Sequence, residues 1–185
     1  MSRFEYLSVL VSIVIALGIS EIASSWGRLL RNRAHVRFYW LHAFWSVFTI
    51  LLMIQFWWGF WEFRVVQSWS FPKLLAVIAE VLVLVLAGII LLPNTDSNER
   101  IDLRAHYFDH CRVYFFFGAI LIAQLALVDL LVGEQPFFHA ENAFRLSGLL
   151  VAGLAAAYPR ERLHAAIAIV GSVLLLGFVV FRFSR

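Results

Sequence analysis

The chain has 185 residues, of which 62% are apolar, 16% aromatic and 15% charged. Soluble domains are about 45–50% apolar and about 25% charged. This composition and a mean hydropathy of +0.84 therefore exclude an ordinary soluble domain. The net charge of +3 does not indicate nucleic-acid binding, because the arginines lie at the ends of apolar runs, as in membrane proteins. Cys111 is the single cysteine, which excludes an intrachain disulfide.

Six apolar segments are long enough to cross a bilayer, whose hydrocarbon core takes about 20 helical residues. Because lipid offers the backbone no hydrogen-bond partner, each segment is predicted to be an α-helix. The polar linkers are too short to hold a soluble domain. The sequence therefore predicts an all-α, polytopic transmembrane bundle that forms one domain over residues 1–185, with helices at about Phe4–Leu30, Phe38–Phe63, Phe71–Leu92, Tyr107–Val132, Asn142–Tyr158 and Leu163–Phe181.

The basic residues predict an orientation. With six spans, both termini lie on one side of the membrane, and the linkers after the first, third and fifth spans, with their flanks, carry nine of the fifteen basic residues. Cytoplasmic loops are enriched in Lys and Arg, so the termini are expected outside the cytoplasm. The first span is expected to be retained rather than cleaved, because Glu5 offsets Arg3 and five further spans follow.

Three stretches resemble a known group of proteins: Phe4–Glu21 (FEYLSVLVSIVIALGISE), Gln55–Arg64 (QFWWGFWEFR) and Asp102–Phe117 (DLRAHYFDHCRVYFFF). They are similar to an uncharacterised family of small bacterial integral membrane proteins with six helices, and the resemblance would extend over most of the chain. It implies a location in the bacterial inner membrane. It carries over no activity, substrate or catalytic residue.

Charged residues inside the spans are the first candidates for function. A charge at membrane depth costs about 2.5–3.5 kcal/mol on insertion scales and usually faces the protein interior. Glu80 lies near the middle of the third span, on a face with small residues. Glu21 lies in the first span, and Ser24, Ser25 and Arg28 follow on its face. The two glutamates either fix helix packing through hydrogen bonds and ion pairs or belong to an ion or proton pathway.

A second polar set falls in the other half of the predicted membrane, near the fourth linker. It contains Gln55, Gln124, Asp129, Asn142 and Arg145. Asp129 and Arg145 are expected to pair, since a charge left alone at that depth is far less favourable. The pair is either a structural clamp or part of a ligand site. If both polar sets line vestibules, these would meet near Glu80, as a channel or an alternating-access carrier requires.

Histidines gather at the predicted cytoplasmic side. Asp102, His106 and His110 lie on one stripe of a predicted helix, which is a possible metal-ligand spacing. With His42 or His164 opposite, the stripe suggests a metal or b-type haem site. The alternative is that these histidines lie at the water interface and have no ligand role.

Aromatic and small residues add two further features. Six of the seven tryptophans lie between Phe38 and Phe71, which is typical of interfacial anchoring and alternatively of a wall for a flat lipophilic ligand such as a quinone, carotenoid or sterol-like lipid. In the fifth span, Gly148, Ala152 and Ala156 recur at four-residue spacing. Such a strip predicts close helix packing, inside the bundle or across a homodimer.

These patterns leave three classes of function. The first is a non-catalytic accessory or regulatory membrane protein that acts through helix contacts, and the second is a small proton or cation channel or carrier that uses Glu80 and Glu21. The third is a binder of haem, metal or a lipophilic cofactor. No enzyme is predicted, since the sequence carries no nucleophile elbow, zinc-protease, Walker or dinucleotide motif. No resident cofactor is assigned, and the expected partners are the lipid bilayer, a second copy or another membrane protein, with no nucleic acid.

Overall fold

The computed structural model describes residues 3–66, 68–94, 100–132 and 140–183, with the side chains of residues 128–132, 140–142 and 181–183 outside the description. It is built from six α-helices, which confirms the all-α class. The helices are α1 (Arg3–Arg31), α2 (Trp40–Phe60), α3 (Phe71–Ile90), α4 (Leu103–Val132), α5 (Ala140–Ala157) and α6 (Glu161–Phe183).

The helix bounds agree with the predicted spans to within about four residues, and the second span ends in a 3₁₀ segment, Trp61–Val65. Helix α5, with 18 residues, is the shortest of the described helices, as the fifth predicted span is. Five helices are long and apolar enough to cross a membrane, while the apolar part of α5, Ala143–Ala157, is shorter. At about 1.5 Å per residue, the whole of α5 measures about 27 Å, so it spans less than its neighbours.

Local sequence sets the ends of α3. The helix begins after Ser70, and Pro72 lies in its first turn, where a proline needs no backbone N–H partner. It ends before Leu91, two residues ahead of Pro93, which cannot continue a helix. Between these ends the buried positions Val77, Val81 and Leu84 recur at helical spacing and form the inward face.

Five helices form a ring, and the sixth packs outside it. Going around the ring, α2 packs against α3, α3 against α4, α4 against α5, α5 against α6, and α6 against α2. Helix α1 packs on the outer side of α2 and α3. Helices α1 and α3 approach each other closely at two glycines. A Cβ on Gly18 of α1 would lie 2.8 Å from Val85 Cγ2, and a Cβ on Gly88 of α3 would lie 3.0 Å from Ile22 Cδ1.

The small-residue strip of α5 faces the neighbouring helix α4. A Cβ on Gly148 would lie 3.0 Å from Ile122 Cδ1, and Ala152 is buried. Gly153, one position along, lies on the exposed side, where a Cβ would meet no atom within 4 Å. The strip therefore packs within the bundle, as one of its two interpretations predicts.

Short links tie the helices together at the end of the bundle that carries His42, His106, His110 and His164, here called the histidine end. Strand β1 (Val36–Arg37), before α2, pairs in parallel with β2 (Ile101–Asp102), before α4. Arg37 pairs with Asp102 at 3.0 Å, and Arg104 pairs with Glu161, at the start of α6, at 2.8 Å. The Tyr39 hydroxyl also donates to Glu161, so the starts of α2, α4 and α6 meet here.

The outer surface of the bundle is apolar. In the most apolar part of each of the five long helices, only 17–33% of the residues are buried inside the protein. Large exposed side chains include Leu17, Leu51 and Val173. An exposed apolar surface of this extent marks a protein that meets lipid or other proteins rather than water.

Candidate functional site

The ring of α2 to α6 encloses a cavity of about 310 Å³. The cavity begins near the middle of the bundle, beside Trp45, Tyr114 and Gly171, and extends away from the histidine end. It reaches the turn after α2 at Glu62 and the start of α5 at Arg145. The end of the bundle that carries these two residues is here called the far end. Its volume falls within the range of small-molecule pockets, about 300–1,000 Å³.

Glycine residues lie along the wall of the cavity. Four glycines border the cavity: Gly59, Gly118, Gly148 and Gly171. A Cβ on Gly118 would meet no atom within 4 Å, so this position of α4 faces open space. The remaining wall is mostly aromatic and aliphatic carbon. A lining of this kind favours an apolar guest.

Glu80 is the charged side chain that lies deepest in the cavity wall. It is the tenth of the twenty residues of α3, and 1% of its surface is exposed. Its neighbours on the buried face are Val77, Val81 and Leu84. A carboxyl in such surroundings needs a donor or a cation nearby, because burial without one is strongly unfavourable. The cavity thus has a hydrogen-bond acceptor set into a wall of carbon.

A packed layer closes the cavity on its histidine side. The Thr49 hydroxyl donates to the Trp45 carbonyl at 2.8 Å, so the Tyr114 hydroxyl, 3.0 Å away, donates to Thr49. Trp45 packs edge-on against Phe115, with ring centroids 4.9 Å apart. These residues are buried and tie α2 to α4 across the ring. These buried residues therefore bound the cavity near the middle of the bundle.

The predicted Glu21 set lies on α1, outside the ring. Glu21 is half exposed and pairs with Arg28 at 3.4 Å along the same helix. Ser24 is exposed, whereas Ser25 is fully buried. Glu21 does not border the cavity that Glu80 lines. The structure therefore separates the two glutamates that the channel hypothesis joins.

Only part of the second polar set lies at the cavity. Gln55 and Arg145 border it from α2 and α5, while Gln124 is half-buried on α4 and does not border it. The side chains of Asp129 and Asn142 lie outside the described residues, so the predicted Asp129–Arg145 pair stays a prediction.

The side chains of the predicted histidine stripe, Asp102, His106 and His110, make hydrogen bonds at helix ends. Nε2 of His42 and Nε2 of His106 both donate to the Leu91 carbonyl, at 2.7 and 3.1 Å. His110 Nδ1 donates to the His106 carbonyl, and Asp102 accepts from the backbone N–H groups of Arg104 and Ala105. In the described ranges, no three His, Cys, Asp or Glu side chains lie close enough together to hold a metal ion.

His164 also makes hydrogen bonds within the fold. Its Nε2 donates to the Ala155 carbonyl at 3.1 Å, so in the neutral ring Nδ1 is the acceptor. The Tyr107 hydroxyl donates to that Nδ1 at 2.6 Å. Both ring nitrogens are therefore engaged, which leaves no lone pair for a haem iron or another metal.

Tyr114, Gly118 and Phe144 border the cavity but were not among the predicted site residues. A glycine inside a long apolar run is a weak sequence signal for Gly118, since glycine weakens a helix unless space or packing requires it. Tyr114 and Phe144 carry no comparable signal, because aromatic side chains occur all along these spans.

Comparison of the chain with protein-family profiles, with curated proteins and with solved structures finds no match. The resemblance to small bacterial membrane proteins, which rests on the three sequence stretches, stays a prediction.

Proposed function

We propose that this chain is a non-catalytic, membrane-embedded binding protein that holds a lipophilic molecule in the cavity of the α2–α6 ring. The observation that carries the proposal is the carbon-lined cavity of about 310 Å³ with Glu80 in its wall. In this role the protein carries, senses or presents its ligand. The accessory function expected from the sequence would then depend on whether the ligand is bound.

The wall supports a ligand with a large apolar part and one polar group. Burial of apolar ligand surface contributes about 25 cal/mol per Å², and here it takes place against aromatic and aliphatic side chains. The Glu80 carboxyl is a hydrogen-bond acceptor, so it favours an amine or hydroxyl on the ligand over a carboxylate. The polar group is then held near the middle of the bundle.

The apolar outer surface supports the membrane setting. We propose that the chain resides in the bacterial inner membrane with both termini outside the cytoplasm, as the basic linkers and the resemblance imply. The histidine end, which carries Arg33, Arg104 and Arg160, then faces the cytoplasm, and the cavity extends toward the opposite side.

Two observations favour binding over conduction. The layer of Thr49, Tyr114 and Trp45 closes the cavity near the middle of the bundle. Glu21 lies outside the ring rather than on a route through it. A conducting path through both glutamates would need a rearrangement of these helices.

The test uses a dansyl-labelled long-chain amine as the probe, with purified protein in lipid nanodiscs. Gly118→Leu places a side chain into the cavity and is expected to abolish binding, while Glu80→Gln replaces the carboxyl with an amide and is expected to weaken binding about tenfold. Gly153→Leu is the matched control, because it makes the same change at a position with equal free space on the outer face.

Both glycine substitutions replace a flexible residue with a good helix former, so the two variants are expected to fold equally well. Circular dichroism and gel filtration check this directly. Probe binding that is the same in wild type, Glu80→Gln and Gly118→Leu would overturn the proposal.

A further inference from the structure

We infer that the ligand is an acyl-chain lipid that enters the cavity sideways, between α2 and α6, with its chain held in a groove on the outer face of these two helices. This inference rests on the proposed function and names the ligand class and its route. It depends on a groove separate from the cavity and on the residues that the two share.

The groove runs along the outside of the bundle. Its α2 wall extends from Phe44 to Trp58, which at about 1.5 Å per residue is about 21 Å. Val47, Leu51 and Ile54 of this wall are 56%, 49% and 49% exposed. The groove is therefore elongated and faces outward, where lipid chains lie in the proposed membrane setting.

The groove and the cavity meet. Phe48, Gln55 and Leu175 border both of them. On the histidine side of this junction α2 and α6 are close, since a Cβ on Gly171 would lie 3.5 Å from the Trp45 ring. Toward the far end, the three shared side chains lie between the groove and the cavity. A molecule in the groove would thus reach the cavity by displacing side chains rather than backbone.

The polar groups at this junction indicate how the lipid lies. Among the described residues that line the groove, Gln55 and Ser172 are polar. The Ser172 hydroxyl donates to the Ala168 carbonyl at 2.8 Å, so it is already satisfied within α6. Gln55 lies at the junction, where its amide can hydrogen-bond the ester or amide that joins a chain to a head group. The head group then lies in the cavity toward Glu80.

An acyl chain fits this geometry better than the flat ligand suggested by the tryptophans. The groove is long and lined mostly by aliphatic side chains, and Trp58 is the one tryptophan among the described residues that border it. A chain lying in it would bury its methylene groups against Leu51, Leu175 and Leu176, each group contributing about 0.8 kcal/mol when fully buried. A single groove of this kind accommodates one chain.

The test is photolabelling in nanodiscs with two monoacylglycerol probes in separate samples, one with a diazirine halfway along its acyl chain and the other with the diazirine next to its ester group. We expect the mid-chain probe to label the groove, around Leu51 and Leu176, and the ester-end probe to label the cavity at Gly118. Labelling at Gly118 is expected to exceed that at Leu82, an exposed residue on the outer face of α3, by about tenfold, because bound lipid stays longer than bulk lipid.

The matched variants are Ser172→Trp, which fills the groove, and Val173→Trp, which places the same side chain on the exposed face one residue along. Ser172→Trp is expected to remove the label from Gly118, whereas Val173→Trp leaves it unchanged.

Two outcomes overturn the inference without touching the proposed function, provided that Gly118→Leu still abolishes binding of the dansyl amine. One is labelling of the cavity that Ser172→Trp does not alter, which would show access from the far end. The other is a groove that the lipid probe does not label in a sample whose measured mass is that of a dimer, which would show that a second copy covers the groove.

Discussion

Asp102 illustrates how one side chain joins two helices at the histidine end. Its Oδ1 accepts from the backbone N–H groups of Arg104 and Ala105, at 2.9 and 3.1 Å, so it caps the start of α4. Its Oδ2 pairs with Arg37, just before α2. The backbone N–H of Ala105, with the further bonds from Arg104 and Arg37, holds the pKa of Asp102 below its usual range.

This lowered pKa predicts a pH dependence of stability. The folded state stabilises the ionised form of Asp102 more than the unfolded state does. The contribution of Asp102 to stability is therefore fully present above the ordinary pKa of 3.8 and is lost as the pH falls through the folded-state pKa. At neutral pH we expect Asp102→Ala to lower the free energy of unfolding by about 1–2 kcal/mol, the usual effect of losing a helix cap.

Thermal unfolding in detergent between about pH 2 and about pH 7 measures this dependence. The gap between wild type and Asp102→Ala is expected to shrink toward the acidic limit. Asp109→Ala, at an exposed position further along α4, is the control. A gap that stays constant at all pH values would contradict the assigned role.

At the scale of the element, the carboxyl end of α3 needs its carbonyls satisfied. Leu91 is fully buried, so its carbonyl has no access to water. Two imidazoles from different helices, His42 of α2 and His106 of α4, both donate to it. The histidines singled out as possible metal ligands therefore act here as hydrogen-bond donors that join three helices.

The shared carbonyl predicts a non-additive pair of substitutions. With His42→Phe or His106→Phe alone, the Leu91 carbonyl keeps one donor. The double variant leaves a buried acceptor unsatisfied, so its loss of stability is expected to exceed the sum of the single losses by about 1–3 kcal/mol.

A double-mutant cycle on the free energy of unfolding measures this coupling. The control cycle combines His42→Phe with His110→Phe, since His110 donates to His106 rather than to Leu91. Strict additivity of His42→Phe and His106→Phe would rule out the shared-acceptor role.

At the scale of the whole molecule, the linkers with most of the basic residues lie at one end, because successive helices run in opposite directions. The pairs Arg37–Asp102 and Arg104–Glu161 bring the segments before α2, α4 and α6 together there. At the opposite end, Arg3 of α1 donates to the Trp69 carbonyl, just before α3. The fold therefore presents two chemically different ends, which the positive-inside rule can orient.

The proposed orientation is tested by cysteine accessibility in intact bacterial cells. On a Cys111→Ala background, Ser68→Cys at the far end is expected to react with a membrane-impermeant maleimide. Ala34→Cys at the histidine end is expected to react only after the cells are permeabilised. Both positions are exposed. The reverse pattern would overturn the orientation and leave the fold unaffected.

Much of the fold was predictable because the dominant signal is local. The ends of α3 follow from Ser70, Pro72 and Pro93, and the buried face of that helix follows from its own spacing. The site was less predictable. Glu80 stands out because a charge inside an apolar run is unusual, but the cavity depends on residues of distant segments coming together around one space, among them Gly118 of α4 and Gly171 of α6.

The sequence by itself determined the helical class, the positions of the apolar helices and the unequal distribution of charge, because these depend on composition and on spacing within one segment. The tertiary structure decided that α1 packs outside the ring, which separates Glu21 from Glu80, and that His42 and His106 share one carbonyl. Such relations arise from contacts between helices distant in sequence, where small residues such as Gly18 and Gly88 set how closely the helices approach. No single segment encodes that choice of neighbours, since each helix could bury the same face against several others.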